Sequence, residues 1–386
     1  MFLLIYLKKI FQGSKFDRYF RLFVSYLSPY YYKFSKKVNI NQDTKFVYIC
    51  YGGVGDCILA FPFLKNLSEK YNITIFIDAK FKGIENLLNN RIEVIFYDKK
   101  YILKVLKNFR KINSNLILIQ QSPILEFILF HLFLRMPPAI GFLYKQNQIS
   151  FESFLFKTKI INTKNKILKY SFLEKNIITI CNQYNFVQHE KKYFNQLKPH
   201  KYSQIPDAPF FILSPTKDPA WPMGFLEYKV YSNFIIKILK TTNLTPVLVG
   251  TNLDKKIIEN ILINLPSKYY PINLVGKTTI RDLISLLKKA EFVVANDNGI
   301  HHLSNFLNKK TLTLYNFSSY NTFNWHNKNS NYIFKPAYDC MPCVGKENGP
   351  FDNYPFQCPW NIRCKNTIDE IDIINKLGKL NWINLM

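Results

Sequence analysis

Two short runs in this chain set backbone amides beside acids and imidazoles. The first is Asn296-Asp297-Asn298-Gly299-Ile300-His301-His302, between the apolar Phe292-Val293-Val294-Ala295 and Leu303-Ser304-Asn305-Phe306-Leu307. A β-rich run broken by Asn-Asp-Asn-Gly and resumed with helical spacing reads as strand, tight turn, helix. Such a turn aims backbone N–H groups and a helix N-terminus at one point, which favours phosphate. An ordinary turn with a helix cap is the competing reading. The second run is Gly52-Gly53-Val54-Gly55-Asp56, after Phe46-Val47-Tyr48-Ile49-Cys50 and before the helically spaced stretch Ile58 to Leu67. Glycines between a strand and a helix let a ligand approach the backbone. A dinucleotide fingerprint would also place glycines here, with Asp78 near the expected ribose position. Against it, Ile58 stands where a third glycine belongs, and Asp56 would repel a pyrophosphate. An acid at the lip of a glycine turn suits a general base facing a hydroxyl, or the cap of the following helix.

A third set of reactive side chains lies near the C-terminus. Cys340, Cys343, Cys358 and Cys364 are four of the chain's seven cysteines, and the first two form a Cys-x2-Cys pair. Four thiols are the ligand count of a structural tetrahedral site for zinc or iron, and they leave no open position for a substrate. The alternative is four unligated thiols. Cys50, Cys57 and Cys181 are expected in cores.

The elements that must position these groups alternate. The pattern predicts strand 46–51, helix 57–70, strand 73–78, helix 83–90, strand 92–97, helix 101–111 and strand 115–120, then helices at 124–135 and 168–184. A polar stretch, 189–205, reads as a linker before a second series. That series has strands at 210–214, 246–249, 272–275, 292–295 and 311–315, and helices at 225–241, 254–264, 279–289 and 301–307. Alternation of this kind makes parallel sheets covered by helices on both faces. The expected segments are an N-terminal extension 1–40, a first Rossmann-like domain 41–205, a second 206–335, and a Cys-rich tail with a C-terminal helix 336–386.

At 386 residues and 48% apolar content, two such domains each have enough chain for a core. The net charge of +26 invites a nucleic-acid reading, but the lysines are dispersed and no nucleic-acid motif accompanies them, so no nucleic-acid partner is expected. The charge is densest in residues 1–38, where eight basic residues face the single acid Asp17 among Phe11, Phe16, Tyr19, Phe20 and Tyr30-Tyr31-Tyr32. Such a segment suits the anionic inner face of a membrane, or a helix packed on the first domain with a solvated basic face. No bilayer-spanning run and no signal-peptide pattern are read, so a cytoplasmic protein, peripheral on the inner membrane, is expected.

The order and spacing of three blocks resemble glycosyltransferase family 9, the heptosyltransferases of lipopolysaccharide core assembly and their relatives. The blocks are Gly52 to Asp56 with Phe61 to Leu67, then Phe210 to Pro215 through Trp221-Pro222 and Pro246 to Gly250, then Val275 to Leu283 leading to Asn296-Asp297-Asn298-Gly299 and His302. The resemblance runs from about residue 45 to about 368. It implies an α/β fold of the GT-B type, with two Rossmann-like parallel-sheet domains facing across a cleft. It also implies inverting transfer from a nucleotide sugar, ADP-heptose above all, to a lipid-linked saccharide, without a catalytic metal. On that resemblance Asp56 is the base within an acceptor-side loop of Gly52, Gly53 and Gly55. Thr278, Asp297, Asn298, Gly299 and His302 bind the donor. Asp254 matches a ribose-binding glutamate one methylene longer. Pro219 replaces a lysine two residues before the Trp-Pro pair, leaving Lys217 as the candidate to neutralise the diphosphate. His301 stands where a small residue is usual and receives no role. The cysteine segment binds metal in some protein-modifying members. Two alternatives stay open: protein O-heptosylation by the same fold, and a non-catalytic membrane-apposed binding protein.

Overall fold

A computed structural model describes residues 43–50, 53–98, 116–119, 139–141, 202–215, 225–318, 320, 328–343, 358 and 360–384. The N-terminal extension, Gly52, Lys217, Pro219, Trp221, Cys181, the helices expected at 101–111, 124–135 and 168–184, and most of the linker lie outside them. The described residues fall into two compact units, one up to residue 141 and one from 202 onward.

The first unit is a five-stranded parallel sheet of β1 (Lys45–Cys50), β2 (Asn72–Asp78), β3 (Ile92–Tyr97), β4 (Leu116–Ile119) and β5 (Ala139–Gly141), in the order β3-β2-β1-β4-β5. Helix α1 (Val54–Leu67) follows β1 and buries Ile58, Phe61 and Leu64. Phe46, Tyr48, Ile75, Phe76 and Ile77 of the sheet are buried as well. Each fully buried large apolar side chain contributes about 1.5–3 kcal/mol. The helix expected at 83–90 is instead a pair of 3-10 turns, Ala79–Phe81 and Ile84–Leu87. Between them Gly83 takes φ 111°, which ends one turn and caps the next.

The second unit is a six-stranded parallel sheet of β6 (Phe210–Ser214), β7 (Thr245–Leu248), β8 (Ile272–Asn273), β9 (Val293–Asn296), β10 (Thr311–Tyr315) and β11 (Ser330–Phe334). Its order is β11-β10-β9-β6-β7-β8. Its helices are α2 (Tyr228–Thr241), α3 (Lys255–Leu262), α4 (Ile280–Lys289), α5 (Gly299–Phe306) and α6 (Glu370–Lys379). β6, β9 and β10 are buried along their whole length, as expected of strands covered on both faces. Phe211 stacks on Phe292 at 5.0 Å and meets Phe234 edge-on at 5.6 Å. Helix α6 belongs to the same core: Ile373, Ile374 and Leu377 pack with Phe234, Ile235 and Ile238. β11 was not read from the sequence; it pairs with β10 from Thr311↔Ser330 to Tyr315↔Phe334. Both sheets thus have the doubly wound order that reverses beside the first strand of each unit, where ligands bind at strand C-termini.

Candidate functional site

The order reverses at β1 and β4 in the first unit, and the glycine turn leaves the C-terminal end of β1. Helix α1 starts at Val54, three residues before the expected start, because the turn is itself the first helical turn. The Gly53 N–H donates to the Asp56 carboxylate at 2.8 Å, and the Cys57 N–H donates to the Gly53 carbonyl at 3.2 Å. Asp56 is therefore a half-buried acid beside the amides of the helix start, and it caps the helix whatever else it does. A methyl group added to Gly53 would meet nothing in the fold closer than Asp56 Oδ2 at 3.8 Å, so internal packing does not require a glycine there. Gly55 is buried. Cys50 and Cys57 are in the core as expected, but they are bonded to each other, with Cα atoms 5.5 Å apart. The fold gives the dinucleotide reading little support. Ile58 is fully buried where a close-approach glycine would be needed, and Asp78 caps a 3-10 turn through the Lys80 N–H at 3.1 Å.

In the second unit the order reverses between β6 and β9, and the Asn-Asp-Asn-Gly turn leaves β9 at that place. Asn298 is the N-cap of α5, its Oδ1 accepting the Ile300 and His301 N–H groups at 2.9 and 3.2 Å. Its Nδ2 donates across to Ser214 Oγ at 2.9 Å, tying the end of β9 to the end of β6. One residue pair away, Asn296 donates to the Pro215 carbonyl at 3.1 Å and accepts from the Tyr231 hydroxyl at 2.8 Å. The turn is thus held by bonds that leave the Gly299 amide uncommitted among the described residues.

Asp297 faces both histidines. Its Oδ1 lies 3.3 Å from His301 Nδ1 and 3.8 Å from His302 Nε2. His301 is completely enclosed, its ring 4.0 Å from that of His302, with Nε2 3.3 Å from the Tyr315 hydroxyl. Burial, with His301 adding to it, holds His302 well below the usual imidazole range, so it is neutral near pH 7. Burial and the Asp297 carboxylate raise the Tyr315 phenol well above its ordinary value. His301 is the residue that sequence reasoning missed. Its signal was present in the His301-His302 doublet four and five residues after Asp297, which the turn at the Asn298 cap brings back against the acid.

The loops after β7 and β8 interlock with each other. Asp254 is buried, and its Oδ2 accepts from both the N–H and the hydroxyl of Thr251 at 2.7 Å, a capping box. The matched ribose acid therefore has a structural bond set. Gly276 takes φ 73° and donates to the Gly250 carbonyl at 3.0 Å. A side chain there would collide with Asn252. Thr278 is half-buried in the same loop, and Thr279 caps α4 through a capping box with Asp282.

The four tail thiols interact with one another, and Cys343 and Cys358 pack with Phe317. Cys343 and Cys364 are buried; Cys340 and Cys358 are partly so. Burial and the other three thiols push Cys343 up to about 12, and burial with Cys358 and Cys340 pushes Cys364 up to about 11. The Ile362 N–H donates to Cys358 Sγ at 3.2 Å from a left-handed backbone with φ 53°, a strained conformation for a β-branched residue. Among the described residues, the His, Cys, Asp or Glu group whose ligand atoms all lie within 4.8 Å of one another is a different one: Asp297, His301 and His302. No helix among the described residues is long and apolar enough to cross a membrane.

No curated protein matches the chain by sequence. Solved structures do match its fold. A glycosyltransferase family 9 protein of Veillonella parvula superposes with a TM-score of 0.66 at 17% identity, over 88% of this chain and 98% of its own. The ADP-heptose lipopolysaccharide heptosyltransferase II of E. coli superposes with the same TM-score at 16% identity, over 87% and 98%. The iron-containing dodecameric glycosyltransferase TibC of enterotoxigenic E. coli follows at 0.55 and 12%, over 90% and 78%. At these identities the likeness is one of fold. The sequence profile of glycosyltransferase family 9 (heptosyltransferase) matches residues 129–353, more than half of the chain. With two doubly wound parallel sheets and that match, the chain belongs to glycosyltransferase family 9 and is a glycosyltransferase.

Proposed function

We propose that this glycosyltransferase moves a heptose from ADP-heptose, with inversion, onto the saccharide of a lipid-linked lipopolysaccharide or lipooligosaccharide core. The observation that carries the reading is the pair of turns at the two places where sheet order reverses. One presents the Asp56 carboxylate; the other presents Asp297, Asn298, Gly299 and His302. An inverting transfer needs a base for the acceptor hydroxyl and donors for the departing diphosphate, and the two turns differ in that sense. Asp56 takes the acceptor proton. The Gly299 amide and His302 hold donor phosphate oxygens, with Thr278, Asp254 and Lys217 completing the donor side and Gly52, Gly53 and Gly55 leaving room for the acceptor. Support for the donor comes from the fold-mate from E. coli, an ADP-heptose enzyme. The basic N-terminal extension suits the inner face of an anionic membrane, where a cytoplasmic enzyme would meet a lipid-linked acceptor.

A protein hydroxyl as acceptor is the second reading, and the four-cysteine cluster favours it, since one fold-mate that holds iron is a heptosyltransferase. The thiols suit a metal by their number and by the Ile362 amide donated to Cys358. Zinc or iron there would order the segment around Phe317 and do no chemistry.

Purified protein with ADP-heptose and core oligosaccharide acceptor should release ADP and lengthen the acceptor by one heptose. Thermal stabilisation by ADP-heptose, but not by other nucleotide sugars, would fix the donor. Transfer to protein and not to saccharide would favour the second reading. Stabilisation without transfer to either would leave a binding protein.

A further inference from the structure

We propose that Tyr231, Asn296 and Asn316 are positioning residues that clamp both ends of segment 216–224 and so aim Lys217 at the donor diphosphate, which rests on the donor reading above. The segment lies outside the described residues, but the residues that flank it do not. The chain leaves β6 through Ser214 and Pro215 and is described again at Phe225 and Leu226, just ahead of α2.

Side chains from three other places hold those two ends. Asn296 Nδ2 donates to the Pro215 carbonyl at 3.1 Å, and its Oδ1 accepts from the Tyr231 hydroxyl at 2.8 Å. That hydroxyl in turn accepts the Leu226 N–H at 3.3 Å. The carbonyl where the segment starts and the amide where it ends are thus joined through two side chains, every bond donating in the same direction. Such a chain of bonds is cooperative, and its burial strengthens it. Asn316, directly after β10, adds a second hold by donating from Nδ2 to the Phe225 carbonyl at 3.0 Å. All three side chains are buried. The two asparagines reach across 81 and 91 positions of sequence to backbone groups at the segment's ends. Apolar residues of similar volume would fill those places without needing a partner, so the polar groups act on the segment rather than on core packing.

The charge that the segment carries gives the clamp its use. Proline stands at position 219, where the family resemblance places a lysine, which leaves Lys217 for the diphosphate. Lysine is a point charge on a flexible stem, so its aim depends on where its backbone begins. Two residues of chain span at most about 7 Å, so a fixed Pro215 limits where Lys217 can go. Fixing both ends in advance also lowers the ordering cost when an anion binds.

The test titrates the full chain with ADP and AMP by calorimetry. Tyr231→Phe removes one hydroxyl and keeps the ring. It should weaken ADP about tenfold, the scale of a lost buried hydrogen bond, and AMP by less than about twofold. In a Lys217→Ala background the same substitution should change ADP affinity by less than about twofold, because no ammonium is left to misplace. Ser232→Ala removes a buried hydroxyl from the same helix, one that donates to the Ile261 carbonyl at 2.8 Å, and should leave ADP affinity unchanged. Hydrogen exchange of amides 216–224 should quicken about tenfold in Tyr231→Phe, with β9 and β10 as protected as in the parent. Should Tyr231→Phe fail to fold, Asn316→Ser carries the same expectations. A loss of ADP affinity that persists without Lys217, or that Ser232→Ala reproduces, overturns the positioning role. Exchange no faster than the parent's overturns the clamp. A parent chain that binds no ADP removes the donor reading instead, and the exchange measurement then still decides the clamp.

Discussion

The glycine turn after β1 and the asparagine turn after β9 each flank the point where strand order reverses, one after the first strand of its sheet and the other after the fourth, yet they are built by opposite means. In the first, one acid folds back on its own turn: Asp56 accepts the Gly53 N–H, and the neighbouring Cys50 and Cys57 are bonded. In the second, partners are recruited from afar: Asn298 reaches Ser214, Asn296 reaches Pro215 and Tyr231, and His301 reaches Tyr315. A turn held locally can keep its carboxylate close to water. A turn held by a buried network keeps the His302 imidazole neutral and its amides aimed. Under the proposed function, the same scaffold serves as proton acceptor in one unit and as anion-binding face in the other.

The sharpest way to break this comparison is Asp56→Asn. The amide oxygen still accepts the Gly53 N–H, so melting should shift by no more than a few degrees, while turnover falls by about 10²-fold or more, the scale of a lost general base. Turnover like the parent's would reduce Asp56 to a cap. In the second turn the expectation is reversed. Gly299→Val and His302→Ala should weaken ADP-heptose affinity, measured calorimetrically, by about tenfold, the valine by blocking backbone approach. Unchanged affinity in both would move the donor away from β9.

Asn298→Ala tests the network itself. Losing two capping bonds and the Ser214 bridge should cost about 1–3 kcal/mol in denaturant unfolding, more than the ~1 kcal/mol of an ordinary cap. Gly276→Ala should cost a similar 1–3 kcal/mol or so, since it combines positive φ with a collision against Asn252. Cys343→Ser should lower metal content, by elemental analysis, along with the melting temperature. The smallest effect belongs to the surface. Partial burial alone would raise Asp372, but the 2.7 Å hydrogen bond from Lys335 holds it below its ordinary value. A depressed carboxylate stabilises the fold above its unfolded pKa, near 3.8, and loses that contribution as pH falls below it. Lys335→Ala should remove no more than about 1 kcal/mol at pH 7, less in high salt, and flatten the stability curve below pH 4.

The strands of both sheets were legible because buried parallel strands are unbroken apolar runs, as in Phe210-Phe211-Ile212-Leu213. β5 and β11 were not, because Ala139-Ile140-Gly141 is only three residues long and Ser330-Asn331-Tyr332 carries no such run; each is defined by pairing, with β4 and β10. The helix expected at 83–90 failed at Gly83, whose left-handed backbone interrupts an apolar spacing that otherwise looks helical. Both reversal-point turns were readable from glycine and asparagine between strand and helix. The structural use of side chains was not: Asp254 matches a ribose acid by resemblance, and the fold also uses it to close a capping box with Thr251. His301 was passed over because its ring partner, Tyr315, lies one strand later and only sheet pairing brings them together. The Cys50–Cys57 bond had a visible cue, two cysteines seven apart around a turn that reverses the chain.

The Asn298–Ser214 bridge joins residues 84 positions apart in sequence. Pairing strands so distant is among the slow steps of folding, because the intervening chain must be ordered before the contact returns anything. The turn proposed to bind the donor phosphates therefore has no existence in a partly folded chain: until β9 docks beside β6, Asn298 lacks its brace on Ser214. A nucleotide added during refolding should accordingly bind only after that docking. It should slow unfolding while leaving the rate of folding almost unchanged, since it meets a surface that the transition state has yet to finish.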